Sequence, residues 1–252
     1  MMEEKYKIGV VMKKRRRKKE NKNKQLFIVV LALIGVLVHG VIESTPLLSK
    51  AFHLKSYDSI MDIPEDLGSD YVVLNNNVPH FKEEDFVSTS YEYYSDLDVL
   101  ERCGYAMALI DEGMMPTQER ESIGSIKPSG WHTIKYDFID GKYLYNRCHL
   151  IGYQLTGQNA NPKNLITCTR TTNTKKMLPF ENQVANYIKE SHDKVLYRVT
   201  PIFKEGELIA RGIELEAASL KDKGKSLSFH VYIFNSENGI KINYQTGESS
   251  LQ

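Results

Sequence analysis

The sequence predicts an α+β domain in which a mostly antiparallel sheet is accompanied by a small number of helices. A DG pair at 140–141 lies between runs of alternating apolar residues, which is typical of a β-hairpin. Four strand-like segments follow one another between 195 and 247, and a segment that begins at Pro179 has helical periodicity. The 252 residues are enough for one substantial domain and an appendage.

The composition indicates a packed core with an uneven distribution of charge. The chain is 41% apolar and has 15 Tyr and 9 Phe, which argues against disorder. Residues 1–42 hold 11 Lys and Arg and 3 Asp and Glu, so 43–252 keep 22 basic and 29 acidic residues, a net charge of −7. If the substrate is a polyanion, a local basic patch or a metal ion must attract it.

The amino-terminal region predicts export. The basic block 13–24 precedes the apolar segment 25–42. The 17-residue run Leu26–Ile42 within it, interrupted by one His and two Gly, would span ~25 Å as a helix. The excess of basic residues indicates that 1–24 stay in the cytoplasm, that 25–42 act as an uncleaved signal anchor in the membrane, and that the remainder lies outside the cell. A cleaved signal, which would give a secreted protein, is the alternative.

The remaining elements follow in chain order. Residues 43–69 are expected to form a tether, and 70–252 the folded domain. The segment DYVVLNNNVPHF at 70–81 predicts a short buried strand ended by Asn and Pro. The segment 97–110 fits a helix or a strand equally well. Further strands are predicted in NLITCT (164–169), VLYRVTPIF (195–203), LIARGIELEAAS (208–219), LSFHVYIF (227–234) and IKINYQTG (240–247).

One helix is predicted from Pro179 onward. Phe180, Val184, Tyr187 and Ile188 recur at i, i+4, i+7 and i+8, and proline is favoured in the first helical turn.

Three cysteines, Cys103, Cys148 and Cys168, are too few and too scattered for a disulfide framework or a Cys-based zinc site. One bridge between Cys148 and Cys168 remains open if their strands are neighbours.

The polar residues around the end of the hairpin suggest hydrolysis of a phosphodiester. The unperturbed pKa of a histidine lies near neutrality, so His149 suits a general base. Arg147 has a fork of donors that matches two phosphate oxygens. Asn173 could offer an amide oxygen to a hard cation such as Mg²⁺, and Glu181 could reach that cation or its waters.

Each of these residues also has an ordinary structural explanation. A lone histidine is more often structural, Asn is common in turns, and Glu181 is favoured by the dipole of a first helical turn. His132, next to Trp131, is the rival for the base, and both could touch the substrate. From the residues alone, the sequence supports a metal-assisted hydrolase and no finer class.

The segment YNRCHLIGYQLTGQNANPKNLIT resembles the Asp-Arg-Gly-His region of the DNA/RNA non-specific endonucleases, in the ββα-metal (His-Me finger) class, and is most similar to the DNA-entry nuclease branch. The resemblance covers roughly 70–250. It implies that His149 is the general base and that Asn173 is the protein ligand to Mg²⁺, with Mn²⁺ as the alternative ion. It further implies that Arg147 and Glu181 act as partners of the phosphate or of the waters, and that Asn164 braces the finger.

The sequence departs from the family pattern at two positions. Asn146 replaces the Asp and Cys148 replaces the Gly, which removes a charge near His149 and adds a side chain beside it. In addition, Pro179 lies between Asn173 and Glu181 and disfavours one unbroken helix that carries both.

The expected function is therefore an exported, membrane-anchored, Mg²⁺-dependent endonuclease that acts on DNA, with RNA as an open second substrate. Two other functions remain open: a surface protein that binds nucleic acid for uptake with an inactive site, and a secreted nuclease toxin.

Overall fold

The computed structural model describes residues 56–63 and 69–252. The predicted basic segment 1–24, the predicted anchor 25–42 and most of the tether 43–69 lie outside the described residues. Within the described ranges, no helix has both the length and the apolar character needed to cross a bilayer.

The predicted α+β class with a mostly antiparallel sheet is confirmed. The central sheet has the strand order β1-β2-β9-β8-β7-β4-β3, and each pairing is antiparallel except that of β1 with β2. Strands β5 and β6 form a separate pair, as do β10 and β11. The strands are β1 (Ser56–Tyr57), β2 (Tyr71–Leu74), β3 (Tyr91–Tyr94), β4 (Ala106–Ile110), β5 (Tyr145–His149), β6 (Leu165–Thr169), β7 (Val195–Ile202), β8 (Gly212–Ser219), β9 (Ser228–Phe234), β10 (Ile240–Ile242) and β11 (Ser249–Leu251).

The described helices are few and mostly short. The main one is α2 (Leu178–Ser191), preceded by a π-helical segment (Thr172–Met177), and α1 (Tyr153–Thr156) is a single turn. Short 3-10 turns occupy Ile60–Asp62, Asn75–Asn77, Glu83–Asp85, Glu112–Met114 and Pro162–Asn164.

Part of the range assigned to the tether joins the sheet. Strand β1 pairs with β2, and the buried Tyr57 packs with Leu74 and Phe234 in a small apolar cluster. The sheet therefore includes residues before position 70.

The main core lies on one face of the central sheet, which we call the core face. Because side chains alternate along a strand, Tyr197, Leu215 and Val231 point to this face. They are buried in one cluster with Ile166 of β6 and Val184 of α2. This packing holds the β5–β6 pair and α2 against the sheet.

The predicted hairpin around the DG pair forms only its turn. The amide of Tyr136 donates to the Lys142 carbonyl at 2.8 Å, and Gly141 has a φ of +69°, which glycine adopts without strain. Beyond the turn, Lys135 and Tyr143 make a single bridge. Strand β5 then pairs with β6 over all five residues of each strand. The prediction was thus right about the turn and wrong about the partner of β5.

The predicted helix from Pro179 is confirmed, and Pro179 does not interrupt the helical path before it. Proline has no amide hydrogen and its ring blocks the carbonyl four residues earlier, at Lys175. The chain accommodates this by a change to π-type turns over Thr172–Met177 before α2 begins. Asn173 and Glu181 therefore lie on one helical path whose hydrogen-bond register changes between them.

Candidate active site

His149 is the last residue of β5, and its side chain is 5% exposed. The strand is continued by a hydrogen bond from the Leu150 amide to the Asn164 carbonyl at 2.9 Å. The position of the imidazole is therefore fixed by the β5–β6 pair.

The two ring nitrogens of His149 have different partners. Nε2 lies 2.8 Å from the Asn159 carbonyl oxygen, and Nδ1 lies 3.3 Å from Nη2 of Arg120. A carbonyl only accepts and a guanidinium only donates, so Nε2 carries the proton and Nδ1 keeps its lone pair. This geometry selects a neutral imidazole whose basic nitrogen is Nδ1.

The surroundings of His149 keep it neutral at physiological pH. Burial lowers its pKa to about 4, the hydrogen bond to the Asn159 carbonyl opposes the shift, and the charge of Arg120 adds to it. The imidazole is therefore available as a proton acceptor down to acidic pH.

Arg120 is a site residue that the sequence analysis missed. It lies in the loop between β4 and β5, and nothing in the local pattern around QERESIG distinguishes it. Asn159 holds this loop near His149, since its side-chain amide donates to the Glu121 carbonyl at 3.1 Å. The contact between Arg120 and His149 arises only from the folded structure.

Glu181 lies close to Gly152. The positive charge of Arg120 lowers the pKa of Glu181, as it does that of His149. A Cβ placed on Gly152 would be 2.6 Å from Oε2 of Glu181, so the carboxylate sits directly against the backbone. Burial raises the pKa of Glu181 to about 7, while hydrogen bonding to Gln154 and the charge of Arg120 act in the opposite direction. The carboxyl group can therefore change its protonation near neutral pH.

Arg147 is held by backbone carbonyls and by Trp131. Its Nη2 donates to the Gly124 carbonyl at 2.8 Å, and its Nε donates to the Ile126 carbonyl. The guanidinium stacks over the Trp131 ring at 3.9 Å from the centroid. Arg147 thus anchors the 124–126 loop and presents its charge in a fixed place.

A cleft of about 380 Å³ brings three arginines and Asn173 together, while His149 and Glu181 are not in its lining. Its lining includes the three arginines Arg120, Arg147 and Arg170, together with Trp131 and Asn173. The Asn173 amide has no hydrogen-bond partner among the described residues, so its oxygen and nitrogen are available to the cleft. Three guanidinium groups beside a free amide suit an anionic ligand.

Asn164 is fully buried and holds the backbone that follows strand β5. Its Oδ1 accepts from the Ile151 amide at 2.9 Å, and its Nδ2 donates to the Ile151 carbonyl at 3.0 Å. One side chain thereby fixes the backbone two residues after His149.

Cys148 and Cys168 form a disulfide within the β5–β6 pair, with their Cα atoms 5.9 Å apart. Both residues are fully buried, and Cys103 is the free thiol. The bridge that the sequence left open thus joins the two strands beside His149.

His132 lies in a different environment from His149. Its Nε2 contacts the Thr246 carbonyl at 2.9 Å, so the ring is attached to the turn between β10 and β11. Its neighbour Trp131 is the one that lines the cleft.

The described strands, the helix and the cleft match a known class of hydrolase. The chain belongs to the DNA/RNA non-specific endonuclease family, whose sequence pattern matches residues 83–221. This confirms the resemblance found in the sequence and identifies the protein as a hydrolytic nuclease.

Solved structures of nucleases have the same fold. NucA from Streptococcus agalactiae with a bound magnesium ion is 27% identical, with a TM-score of 0.64 over 72% of this chain and 87% of that one. Sda1 nuclease with a bound zinc ion is also 27% identical, with a TM-score of 0.55 over 66% of this chain and 83% of that one. An extracellular endonuclease at 21% identity, with a TM-score of 0.51 over 70% and 90%, shares the fold.

Proposed function

We propose that the protein is a Mg²⁺-dependent endonuclease that hydrolyses phosphodiester bonds of DNA, with RNA as a second substrate to be tested, and that His149 is the general base. The observation that carries the proposal is the tautomer of His149. Its Nε2 is committed to the Asn159 carbonyl, and its Nδ1 keeps a lone pair next to Arg120.

The residues of the cleft fit a hard divalent cation. Asn173 supplies a neutral amide oxygen, the kind of ligand that Mg²⁺ accepts while it keeps several waters. When bound, the cation would neutralise charge that develops on the phosphate and on the leaving oxygen. The magnesium in NucA and the zinc in Sda1 support a divalent ion, with Mn²⁺ as the alternative to Mg²⁺.

The protein side chains then have distinct tasks. Nδ1 of His149 takes a proton from water as the water oxygen forms its bond to phosphorus and the bond from phosphorus to the leaving sugar oxygen breaks. Arg120 and Arg147 donate hydrogen bonds to the phosphate oxygens, where charge accumulates. Glu181, when ionised, attracts Arg120 electrostatically, and Asn164 keeps the loop after His149 in place.

We further propose that residues 1–24 remain in the cytoplasm, that 25–42 anchor the chain in the cell membrane, and that the nuclease domain lies outside the cell. The sequence pattern of a basic block followed by an apolar run supports this arrangement.

His149→Ala tests the base assignment. A general base contributes roughly 10²–10⁴-fold, so nicking of plasmid DNA should fall by that factor while the fold is kept. His132→Ala is the matched control and should retain much more activity, because His132 contacts the β10–β11 turn. Addition of EDTA should stop nicking by the wild-type chain.

Two results would contradict the proposal. A folded His149→Ala protein that nicks at the wild-type rate would refute the base assignment. A wild-type chain that binds DNA in Mg²⁺ but does not nick it would favour the uptake-protein alternative.

A further inference from the structure

The face of the central sheet opposite the core face, here called the outer face, carries a second group of ionisable side chains. Arg198, Glu216 and His230 are directly opposite one another on β7, β8 and β9. They alternate with the buried residues that pack against β6 and α2. The sheet therefore separates this group from the cleft of the candidate active site.

Four of the residues on this face could bind a metal ion together. The ligating atoms of His80, Glu214, Glu216 and His230 all lie within 4.8 Å of one another. Two imidazoles and two carboxylates match the number and type of ligands in tetrahedral zinc sites. Bonds of ~2.0–2.2 Å place tetrahedral ligand atoms roughly 3.5 Å apart. The more distant atoms of the cluster would therefore have to approach one another, which the exposed ring of His80 allows, and the 2.6 Å pair of His230 and Glu214 would have to separate.

The hydrogen bonds of His230 direct one nitrogen into the cluster. Nδ1 lies 3.0 Å from the Val78 carbonyl, which only accepts, so Nδ1 carries a proton. Nε2 lies 2.6 Å from Oε1 of Glu214 and 3.9 Å from Oε1 of Glu216, in a side chain that is 1% exposed. At 2.6 Å the contact between Nε2 and Oε1 of Glu214 is a hydrogen bond, so a metal ion could bind Nε2 only after the Glu214 carboxylate moves away from it. A backbone carbonyl that fixes the far nitrogen in this way is typical of metal-binding histidines.

Glu216 is also held in a fixed orientation. Its Oε2 accepts from Nε of Arg198 at 2.6 Å, and its Oε1 accepts from the amide of His80 at 2.7 Å. The ion pair with Arg198 and the hydrogen bond from the His80 amide therefore hold this carboxylate in a fixed position beside His230.

The second imidazole is the feature that points to a metal ion rather than to a simple pair of His230 and Glu214. A proton between His230 and Glu214 would satisfy those two groups and give His80 no part. The His80 ring instead lies edge-on to His230, with the ring centroids 4.8 Å apart. A cleft of about 400 Å³, lined by His80, Glu214 and Glu216, opens the cluster to solvent.

We propose that His80, Glu214, Glu216 and His230 form a second metal site, of the zinc class, that attaches the loop after β2 to strands β8 and β9. The site lies on the outer face and goes beyond the proposed nuclease mechanism, since none of its residues takes part in that mechanism.

The test measures zinc binding in the full chain, purified in detergent without a polyhistidine tag and stripped with EDTA. All variants carry Asn173→Ala, which removes the proposed ligand of the catalytic ion. After dialysis against Zn²⁺, atomic absorption should find one zinc per chain. Added Zn²⁺ should also raise the melting temperature, because a ligand that binds only the folded state stabilises it.

Two substitutions and one control identify the site. His80→Asn and Glu214→Gln should each weaken zinc binding at least ~10-fold and remove the rise in melting temperature. His80 is exposed, so its variant should fold. His192→Asn is the matched control, because His192 is another exposed histidine paired with a glutamate, Glu112, at 2.9 Å. It should bind zinc like the parent.

Absence of zinc from the Asn173→Ala chain would overturn the proposal. Zinc retained in both His80→Asn and Glu214→Gln would also overturn it. Neither result bears on the nuclease mechanism, which is tested separately by plasmid nicking of the wild-type chain in Mg²⁺.

Discussion

At the scale of single residues, burial and one neighbouring charge determine how His149 works. Desolvation is the main reason that its pKa falls to about 4, and Arg120 adds a smaller effect of the same sign. The ring is therefore neutral over the physiological range, and its activity as a base should be lost only when the pH falls through the depressed pKa.

Arg120→Gln should move the acidic limb of the pH dependence of kcat/KM to higher pH. Loss of the positive charge makes His149 easier to protonate, so its pKa should rise, by about one unit or less because burial is the larger cause. Arg170→Gln is the control, since Arg170 lines the same cleft but pairs with Asp140. An acidic limb that stays in place in Arg120→Gln, with the fold verified by circular dichroism at each pH, would contradict this account.

Gly152→Ala should lower activity by displacing Glu181. Gly152 has a φ of −58° and a ψ of 144°, which any residue can adopt, so the backbone is not strained. The added Cβ would nevertheless meet Oε2 at 2.6 Å and force the carboxylate to move. We expect a fall in kcat of roughly 10–100-fold with little change in melting temperature.

The control for Gly152→Ala is the same change in a Glu181→Ala background. The clashing carboxylate is then absent, so Gly152→Ala should cost little further activity. Equal losses in the two backgrounds would show that Gly152 acts independently of Glu181.

Residue types and the family resemblance led from the sequence to His149, Arg147, Asn173 and Glu181, and the resemblance alone led to Asn164. The sequence could not select Arg120. That side chain lies in a long loop without periodicity, and its contact with His149 depends on how Asn159 ties the loop down.

At the scale of elements, the β5–β6 pair combines a backbone ladder with a covalent link. The register joins all five residues of β5 to β6, and the disulfide closes a loop with a sequence separation of 20. A cross-link of this kind stabilises mainly by restricting the unfolded chain.

Cys148→Ala combined with Cys168→Ala should lower the free energy of unfolding by about 3 kcal/mol, the chain-entropy value for a loop of this size. Urea unfolding would measure the change. Complete reduction should lower the urea midpoint of the wild-type chain and leave that of the double variant unaltered. Thiol titration should find one free thiol, Cys103, before reduction. A wild-type midpoint that survives verified reduction would show that the link contributes no stability.

The sequence predicted most elements but not all of their partners. The segment 97–110 was ambiguous because Ala106–Ile110 is buried throughout, so its apolar run has no period. Its pairing with β3 and β7 makes it a strand. The hairpin at the DG pair has a single bridge because β5 pairs over its whole length with β6 instead. Such competition between distant segments cannot be predicted from the local sequence.

At the scale of the whole molecule, the charge of the cleft is opposite in sign to the net charge of residues 43–252. Residues 43–252 carry a net charge of −7, yet three arginines line the cleft beside Asn173. A nucleic acid would thus be attracted locally while the rest of the surface repels it, which favours binding through the cleft.

The proposed membrane location of the chain can be tested by extraction and by protease digestion. The apolar segment 25–42 should keep the full chain in the membrane fraction after carbonate extraction, and protease added to intact cells should digest the nuclease domain.

The basic block 13–24 should set this orientation. Replacement of five of its Lys and Arg residues by Gln should therefore reduce digestion from outside, while replacement of the five lysines in 204–241 should not. Recovery of a shortened chain only from the medium would replace the anchor with a cleaved signal. A protease-resistant domain inside intact cells would refute export, because the domain would then face the cytoplasm with the basic block.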